Sequence, residues 1–258
     1  MRPRFLRPLA ILLVAMPAVL PASAQQAAPP AQAVDVALVL AADVSRSITS
    51  DEFQLQRQGY ARAIADPDVV KAIEAGATGA IALTFIEWSG SDQQQVVVGW
   101  QVVRDPASAR QFAATLLAAP RAFYGRTSIS AALDFAMAQL KASGVKAERQ
   151  VIDVSGDGTN NGGRPLPDAR AAALAAGVTI NGLAIINERT GMYGGGFSGH
   201  VQPPGGLPNW YRDNVTGGPG SFLLTVKDFA SFGEAMTKKL LNEIAARPAA
   251  ERLVLKSR

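Results

Sequence analysis

The sequence has no cysteine, and His200 is the single histidine among its 258 residues. The lack of cysteine excludes a disulfide framework and a lipid-modified cysteine behind a signal sequence, so a hydrophobic core must stabilise the fold. A Ser-His-Asp triad would have to use His200, whose Gly- and Pro-rich surroundings are typical of a solvated loop. The sequence contains neither a G-x-S-x-G elbow before a predicted helix nor a G-x-x-x-x-G-K-[ST] phosphate loop.

Long apolar runs are also scarce, and the one near the start fits a secretory signal peptide. Three arginines precede an apolar stretch over residues 9–20, and the small residues Ala-Ser-Ala at 22–24 precede Gln25. This stretch is too short to cross a bilayer comfortably, and no later segment offers about 18 consecutive apolar residues. We therefore expect residues 1–24 to be removed and the mature protein, without a membrane span, to be periplasmic or secreted. An uncleaved membrane anchor is the alternative.

Neither sign of charge is in excess once the signal peptide is set aside. Three of the 25 basic residues and none of the 21 acidic residues lie in residues 1–24, which leaves 22 basic and 21 acidic side chains. The net charge of +4 on the whole chain is therefore no indication of nucleic-acid binding. No basic stripe or row of aromatic residues suggests a nucleic-acid partner either.

Apolar runs alternate with amphipathic segments along residues 34–246. This alternation predicts an α/β fold, a doubly wound and mostly parallel sheet with helices on both faces. The second and third strands are joined by a polar turn (residues 89–93) too short for a crossover helix, which predicts one antiparallel strand at a sheet edge. Strands are expected over 34–42, 79–88, 95–103, 149–155, 179–186 and 221–226, and helices over 50–65, 106–119, 128–142, 168–176 and 228–246.

The other segments flank or interrupt this single domain. Residues 25–33 predict a short flexible lead, and residues 247–258 form a C-terminal tail. Residues 187–220 are rich in Gly, Pro and Asn, which predicts a long loop or insertion with little regular structure. Its larger side chains either form a second contact surface or fold back onto the domain. These side chains are Met192, Tyr193, Phe197, Trp210 and Tyr211.

Ligands of a doubly wound sheet bind at the carboxyl ends of its strands, and three predicted loops there carry oxygen-rich side chains. Asp43, Ser45 and Ser47 follow the first strand. Thr127 precedes a helix, and Asp157 follows the fourth strand. Two carboxylates and three hydroxyls are hard ligands that suit Mg²⁺, Mn²⁺ or Ca²⁺. We name these segments loop one (residues 43–47), loop two (125–128) and loop three (155–159).

The pattern D-x-S-x-S in loop one, a threonine in loop two and an aspartate in the S-G-D-G turn of loop three resemble a known motif. This motif is the metal-ion-dependent adhesion site (MIDAS) of von Willebrand factor A domains. The resemblance extends in element order from residue 34 to about 246, and the chain resembles most an uncharacterised family of exported bacterial proteins with such a domain. It implies a metal site at Asp43, Ser45, Ser47, Thr127 and Asp157.

The resemblance also implies a function in recognition rather than in catalysis. In the family, the serines coordinate the cation through neutral hydroxyls, the aspartates often act through water, and the threonine binds directly or through water. An open position on the cation then accepts an Asp or Glu from a protein partner. The expectation is an exported adhesion or scaffold domain with Mg²⁺, Mn²⁺ or Ca²⁺ as cofactor and no enzymatic activity.

Two alternatives stay open at this point. The first is a metal- or phosphate-dependent envelope enzyme, because Gly156 and Gly158 begin a dinucleotide-binding fingerprint. Asn161 replaces the last glycine of that fingerprint, however, and the motif lies on a late strand. Loop one also has D-x-S in place of the D-x-D of phosphoaspartate transferases. The second alternative is a scaffold that keeps the fold and binds no metal, with the serines acting as turn or capping hydroxyls.

We predict that the exported protein begins near Gln25 and is soluble. The small residues before Gln25 provide the cleavage site, and cleavage there removes the apolar stretch. N-terminal sequencing of the exported protein, combined with membrane fractionation, tests this prediction. A sequence that begins at Met1, obtained from a membrane pellet, would contradict it.

Overall fold

The apolar run of the first predicted strand lies at the centre of a six-stranded sheet. The computed structural model describes residues 31–186 and 203–245. In chain order its elements are β1 (Gln32–Asp43), α1 (Ser50–Ile64), α2 (Pro67–Glu74), β2 (Ile81–Trp88), β3 (Gln94–Val103), α3 (Pro106–Ala118), α4 (Ile129–Lys141), β4 (Val145–Gly156), α5 (Leu166–Ala175), β5 (Thr179–Ile185), α6 (Leu207–Asn214), β6 (Leu223–Val226) and α7 (Phe232–Ala245).

The strands follow the order β3-β2-β1-β4-β5-β6 across the sheet. All neighbouring strands are parallel except β2 and β3, which are joined by a short turn and run antiparallel at one edge. The order reverses between β1 and β4, which is the switch point of a doubly wound fold. The expected α/β class, with a mostly parallel sheet and one antiparallel edge strand, is confirmed.

Side chains of β1 alternate between two hydrophobic cores. Leu38 and Leu40 face a core built with α1, α2, α3 and α7. Val39 and Ala41 face a second core, built with α4, α5 and α6. Helices therefore cover both faces of the central strands, which explains why these strands are continuous apolar runs in the sequence.

The helices that follow loop one and loop two begin at side-chain caps. At the start of α1, Thr49 Oγ1 accepts the Glu52 N–H at 3.3 Å, and Glu52 Oε2 accepts the Thr49 N–H at 2.9 Å. This is the capping box that the sequence spacing predicts. At the start of α4, Ser128 Oγ accepts the Ala131 N–H at 3.3 Å. These caps fix where each loop ends.

Several segments differ from the sequence prediction. β4 begins at Val145 instead of residue 149, and the predicted closing helix begins at Phe232, after a 3-10 turn at Phe229–Ser231. The pattern does not predict α2, an eight-residue helix capped by Asp66, because so short a segment contains few apolar repeats. The prediction of little regular structure in residues 187–220 is wrong for Leu207–Asn214, which form α6. β1 also includes the last two residues of the predicted flexible lead, because Gln32 pairs with Val145 at the start of β4.

The larger side chains of residues 187–220 are described in part. Trp210 and Tyr211 of α6 pack against the core shared with α4 and α5, so these two fold onto the domain. Met192, Tyr193 and Phe197 lie outside the described ranges, as do His200, the predicted signal peptide and the C-terminal tail. None of the described helices combines the length and the apolar character that crossing a membrane requires.

A buried ion cluster joins α7 to the central strand β4. Lys239 Nζ lies 2.9 Å from Asp153 Oδ1 and 2.8 Å from Glu243 Oε1, and all three side chains are buried. Asn181 donates a further hydrogen bond to Glu243 at 3.2 Å. Burial raises the pKa of Asp153 to about 7, although the charge of Lys239 acts to lower it. The lysine therefore stabilises the carboxylate charge in the core, and the cluster holds α7 on the strand that ends at loop three.

We predict that Lys239→Met lowers the free energy of unfolding by about 3–5 kcal/mol at neutral pH, because it leaves buried carboxylates without a cation. The loss should shrink as the pH falls below about 7, where Asp153 takes up a proton. A carboxyl group whose pKa is raised in the folded state favours folding at low pH and opposes it as the pH rises. Denaturant unfolding at several pH values measures both effects.

The matched control is Lys238→Met, one residue earlier on the same helix. The ion pair of Lys238 with Glu234 is exposed, so its removal should change the stability little. Equal losses in the two variants would contradict a stabilising role for the buried cluster.

Candidate metal centre

Loop one and loop three meet at the switch point of the sheet. Asp43 is the last residue of β1, and Asp157 directly follows β4, the parallel neighbour of β1. The register pairs Ala42 with Ser155, so both chains leave the sheet at the same level. Because parallel neighbours end at the same edge, the two carboxylates come together there.

A chain of hydrogen bonds links four of the five predicted site residues. Asp43 Oδ1 accepts the Ser45 N–H at 2.7 Å, and Ser45 Oγ lies 3.1 Å from Ser47 Oγ. Ser47 Oγ in turn donates to Asp157 Oδ1 at 2.8 Å. A turn brings the two serines together, since the Ile48 N–H donates to Ser45 O at 3.1 Å. The D-x-S-x-S pattern thus places both hydroxyls between the carboxylates.

Thr127 is buried on loop two, which is hydrogen-bonded to loop one and to Asn161, a residue that follows loop three. Its N–H donates to Asn161 Oδ1 at 3.0 Å, and its carbonyl accepts the Asn161 N–H at 2.8 Å. Gly125 O accepts the Arg46 N–H at 2.9 Å, which joins loop two to loop one. Asn161, the residue that breaks the dinucleotide fingerprint, therefore has a structural role: it holds the backbone of Thr127.

The two aspartates lie where water is largely excluded. Asp43 is fully buried and Asp157 is 4% exposed. Burial raises the pKa of Asp43 well above its ordinary value, and the charge of Asp157 raises it further, against the lowering effects of Ser45 and Arg121. Asp43 Oδ2 is buried and has no hydrogen-bond partner among the described residues. A positive charge between the carboxylates would offset both the repulsion and this unpaired oxygen.

The donors at this place are carboxylate and hydroxyl oxygens. Nowhere in residues 31–186 and 203–245 do three or more acidic, histidine or cysteine side chains gather as a metal-binding group. A cation here would therefore depend on hydroxyls together with the two carboxylates. That set fits a hard divalent cation such as Mg²⁺ better than it fits zinc or copper.

Arg121 supports loop one, although no sequence motif points to it. Its Nη2 donates to Val44 O at 2.8 Å and to Ser45 O at 3.0 Å. The guanidinium carbon also lies 4.0 Å from the centre of the Tyr124 ring. Arg121 precedes loop two in the chain, so these contacts tie the entry to loop two to the backbone of loop one.

A buried ion pair holds the same entry segment. Arg57 of α1 pairs with Glu87 of β2, with Nε 2.9 Å from Oε1 and both side chains buried. Arg57 also donates to Ala119 O and Pro120 O, and Glu87 Oε2 accepts the Ala122 N–H at 2.8 Å. The acidic residue inside the apolar run of β2 was a signal in the sequence that Glu87 has a buried partner, although not which residue that partner is.

A tyrosine of α6 reaches the same place. Tyr211 is fully buried, and burial, followed by the charges of Asp43 and Asp157, raises its pKa. A Cβ added to Gly156 would lie 2.6 Å from Tyr211 Oη and 3.0 Å from Asp43 Oδ2, so the phenol and the carboxylate converge at this glycine. The sequence marked Tyr211 only as one aromatic residue of a loop, because no local spacing relates it to the site.

Comparison with solved structures shows this fold in other proteins. Proximal thread matrix protein 1 from the mussel byssus has a TM-score of 0.60 and 14% identity, over 83% of this chain and 49% of its own. A structure of that protein with a zinc-occupied MIDAS motif has a TM-score of 0.56 and 16% identity, over 84% and 47%. A von Willebrand factor type A protein from Catenulispora acidiphila has a TM-score of 0.54 and 14% identity, over 83% and 44%.

The chain thus spans about half the length of these structures, and the TM-scores, at 14–16% identity, show a shared fold. The expected resemblance to von Willebrand factor A domains is therefore confirmed for the fold. A comparison with curated protein sequences gives no match. Residues 33–248 match the family described as "Protein of unknown function (DUF1194)". Since this match covers most of the chain, the chain belongs to the DUF1194 family, and its fold is that of a von Willebrand factor A domain.

Proposed function

We propose that this chain is an exported, metal-dependent protein-binding domain of the adhesion or scaffold type. A divalent cation, Mg²⁺ or else Mn²⁺ or Ca²⁺, binds where the three loops meet, and an Asp or Glu of a protein partner completes its coordination. One observation carries the proposal: at the switch point of the sheet two buried carboxylates are linked through two serines, with the Ser45 N–H bound to Asp43 and the Ser47 hydroxyl bound to Asp157. The proposed ligands are Asp43, Ser45, Ser47, Thr127 and Asp157.

The electrostatics of the aspartate pair favour a bound cation. Moving two like charges out of water is costly unless an opposite charge accompanies them. Arg121 is the weakest of the influences on the pKa of Asp43, and its Nη2 donates to the carbonyls of Val44 and Ser45. A divalent ion held by both carboxylates, directly or through water, would supply the missing charge.

A related fold supports this use of the site. The mussel thread protein has been described with zinc in its MIDAS motif. At 16% identity, that structure does not decide which ion binds here. The choice of a hard cation comes from this chain's own donors, which are all oxygens.

Capture of a partner carboxylate follows from the ligand count. Mg²⁺ prefers six oxygen ligands, and three of the five proposed side chains offer neutral hydroxyls, so the cation stays electron-poor. Ser47 is the half-buried member of the set, and Arg46 and Arg126 are exposed on loops one and two. A carboxylate on a fixed, partly dehydrated cation makes a stronger contact than a surface salt bridge does.

We predict that Mg²⁺ or Mn²⁺ stabilises the protein by about 2.7 kcal/mol at a 100-fold excess over Kd, because the ion binds the folded state. Asp43→Ala should abolish this effect and keep the fold, since it removes a proposed ligand together with a buried, repulsive charge. Thermal or denaturant unfolding with and without the ion measures the difference.

Asp92→Ala is the matched control for this experiment. Asp92 is an exposed carboxylate in the turn between β2 and β3, at the same edge of the sheet as Asp43. Its removal should leave the stabilisation by metal unchanged. If wild type and Asp43→Ala gain equal stability from the ion, the site is wrongly assigned.

We also predict that protein partners recovered from the cell envelope with the purified domain in Mg²⁺ are lost in EDTA. Thr127→Ala should lose them as well, because the proposed cation would lack one of its ligands. Thr115→Ala, which changes an exposed threonine on α3, should retain them. Affinity purification followed by identification of the bound proteins measures this.

The outcomes of this purification separate recognition from catalysis. Recovery of the same partners in EDTA and in Mg²⁺ would count against capture through a metal. A catalytic site would instead show turnover of a small substrate with no need for a protein carboxylate.

A further inference from the structure

The phenol of Tyr211 ends beside the proposed metal site with its hydrogen-bonding capacity unused. The side chain is fully buried, and Oη has no hydrogen-bond partner among the described residues. Asp43 Oδ2 is buried and unpaired in the same way. Buried polar groups without partners are uncommon in folded proteins and often mark a functional place. Here one potential donor and one acceptor converge on the same point.

Tyr211 passes two glycines on neighbouring strands, and Gly156 makes the approach of its hydroxyl possible. The ring of Tyr211 passes Gly182 of β5, where an added Cβ would lie 3.4 Å from the ring. The hydroxyl reaches Gly156 of β4, where an added Cβ would lie 2.6 Å from Oη. Neither glycine has a positive φ, so the backbone does not require glycine at these positions. At Gly156 the position of the tyrosine hydroxyl requires it, whereas at Gly182 an added Cβ would meet Leu223 and Thr216 before it met the ring.

The chain around Tyr211 is anchored to the sheet and to α5. Arg170 of α5 donates to Thr216 O from Nε at 3.1 Å and from Nη2 at 2.7 Å. Ile180 and Gly217 exchange backbone hydrogen bonds of 2.8 and 3.0 Å, and the Thr216 N–H donates to Tyr211 O at 3.0 Å. These contacts hold the end of α6 in place, so the fold itself fixes the position of the Tyr211 phenol.

We propose that Tyr211 is a positioning residue of the metal site, whose hydroxyl donates a hydrogen bond to Asp43 Oδ2, directly or through one water molecule, when the cation is bound. This proposal rests on the proposed function, because it concerns the same site. Ser45 already occupies Asp43 Oδ1 through its N–H. A second donor at Oδ2 sets the orientation of the carboxylate toward the cation, as hydrogen bonds behind metal ligands commonly do.

Tyr211→Phe tests the proposal, because it removes Oη and keeps the ring against the two glycines. The Kd for Mg²⁺ and Mn²⁺, measured by calorimetric titration of the purified protein, should rise about 10- to 100-fold. The melting temperature without metal should stay the same or rise, because a buried hydroxyl without a partner is lost. Metal binding should also change the tyrosine ultraviolet absorption of the wild type, and this change should be absent in the variant.

Tyr60→Phe is the matched control, because Tyr60 is buried to the same extent in the core on the opposite face of the sheet. Its hydroxyl lies 2.8 Å from Ser155 Oγ and is therefore paired. Tyr60→Phe should lower the melting temperature without metal and leave the Kd for metal unchanged. A raised Kd for metal without a loss of melting temperature in Tyr211→Phe, and the reverse in Tyr60→Phe, would distinguish a role in the metal site from a role in packing.

Three outcomes would overturn the proposal. If Tyr211→Phe keeps the Kd of the wild type, this proposal is overturned and the proposed function stands. If the wild type binds none of Mg²⁺, Mn²⁺ and Ca²⁺, both are overturned. The substitution Gly156→Ala gives a further test that needs no metal, because the added methyl group would contact Tyr211 Oη. This substitution should destabilise the wild type more than the Tyr211→Phe variant. Equal losses would show that the hydroxyl does not occupy this position.

Discussion

The parallel pairing of β1 with β4 brings two carboxylates into one buried place. Asp43 ends β1 and Asp157 follows β4, and the register of the two strands carries both to the same level of the sheet. The strands cannot be moved apart without losing the centre of the sheet, on which both hydrophobic cores are built. The serine hydroxyls between the carboxylates reduce the cost of this arrangement, and a cation is the compensation that the donors fit best.

The loops around this place are each held by a different part of the fold. Arg121 holds the backbone of loop one, and Glu87 holds the segment that enters loop two. Asn161 joins loop two to the residues that follow loop three. Lys239 fixes α7 to the strand that leads into loop three, through its ion pair with Asp153. Because these supports come from separate elements, the backbone that carries the proposed metal ligands is held in place without a bound cation, as a tight binding site would require.

Local patterns in the sequence were sufficient to predict the sheet, its antiparallel edge and the loops of the site. Apolar alternation depends on neighbouring residues, and each of the five proposed ligands lies at the end of a predictable element. The contacts that support these loops were not predicted, because Arg57 and Glu87 are 30 residues apart and no spacing rule relates them. Tyr211 was missed for the same reason, and because its helix is short and lies in a Gly- and Pro-rich segment. Metal binding depends on how the charges and oxygen atoms of separate loops are placed in space, and helix or strand patterns carry no information about that.

Burial of the proposed ligands determines the side from which a partner can arrive. Asp43, Thr127 and Asp157 are at most 4% exposed, so in the proposed function a partner carboxylate would approach past the half-buried Ser47. The exposed Arg46 lies next to that serine, on the loop that faces the solvent. Exposed charges at the rim of an interface act mainly on the rate of association, whereas hydrogen bonds behind a metal ligand act on the affinity for the metal. In the proposed function these two tasks fall to different residues: the exposed arginine at the rim would attract the acidic partner, and the buried side chains would hold the ion that binds it.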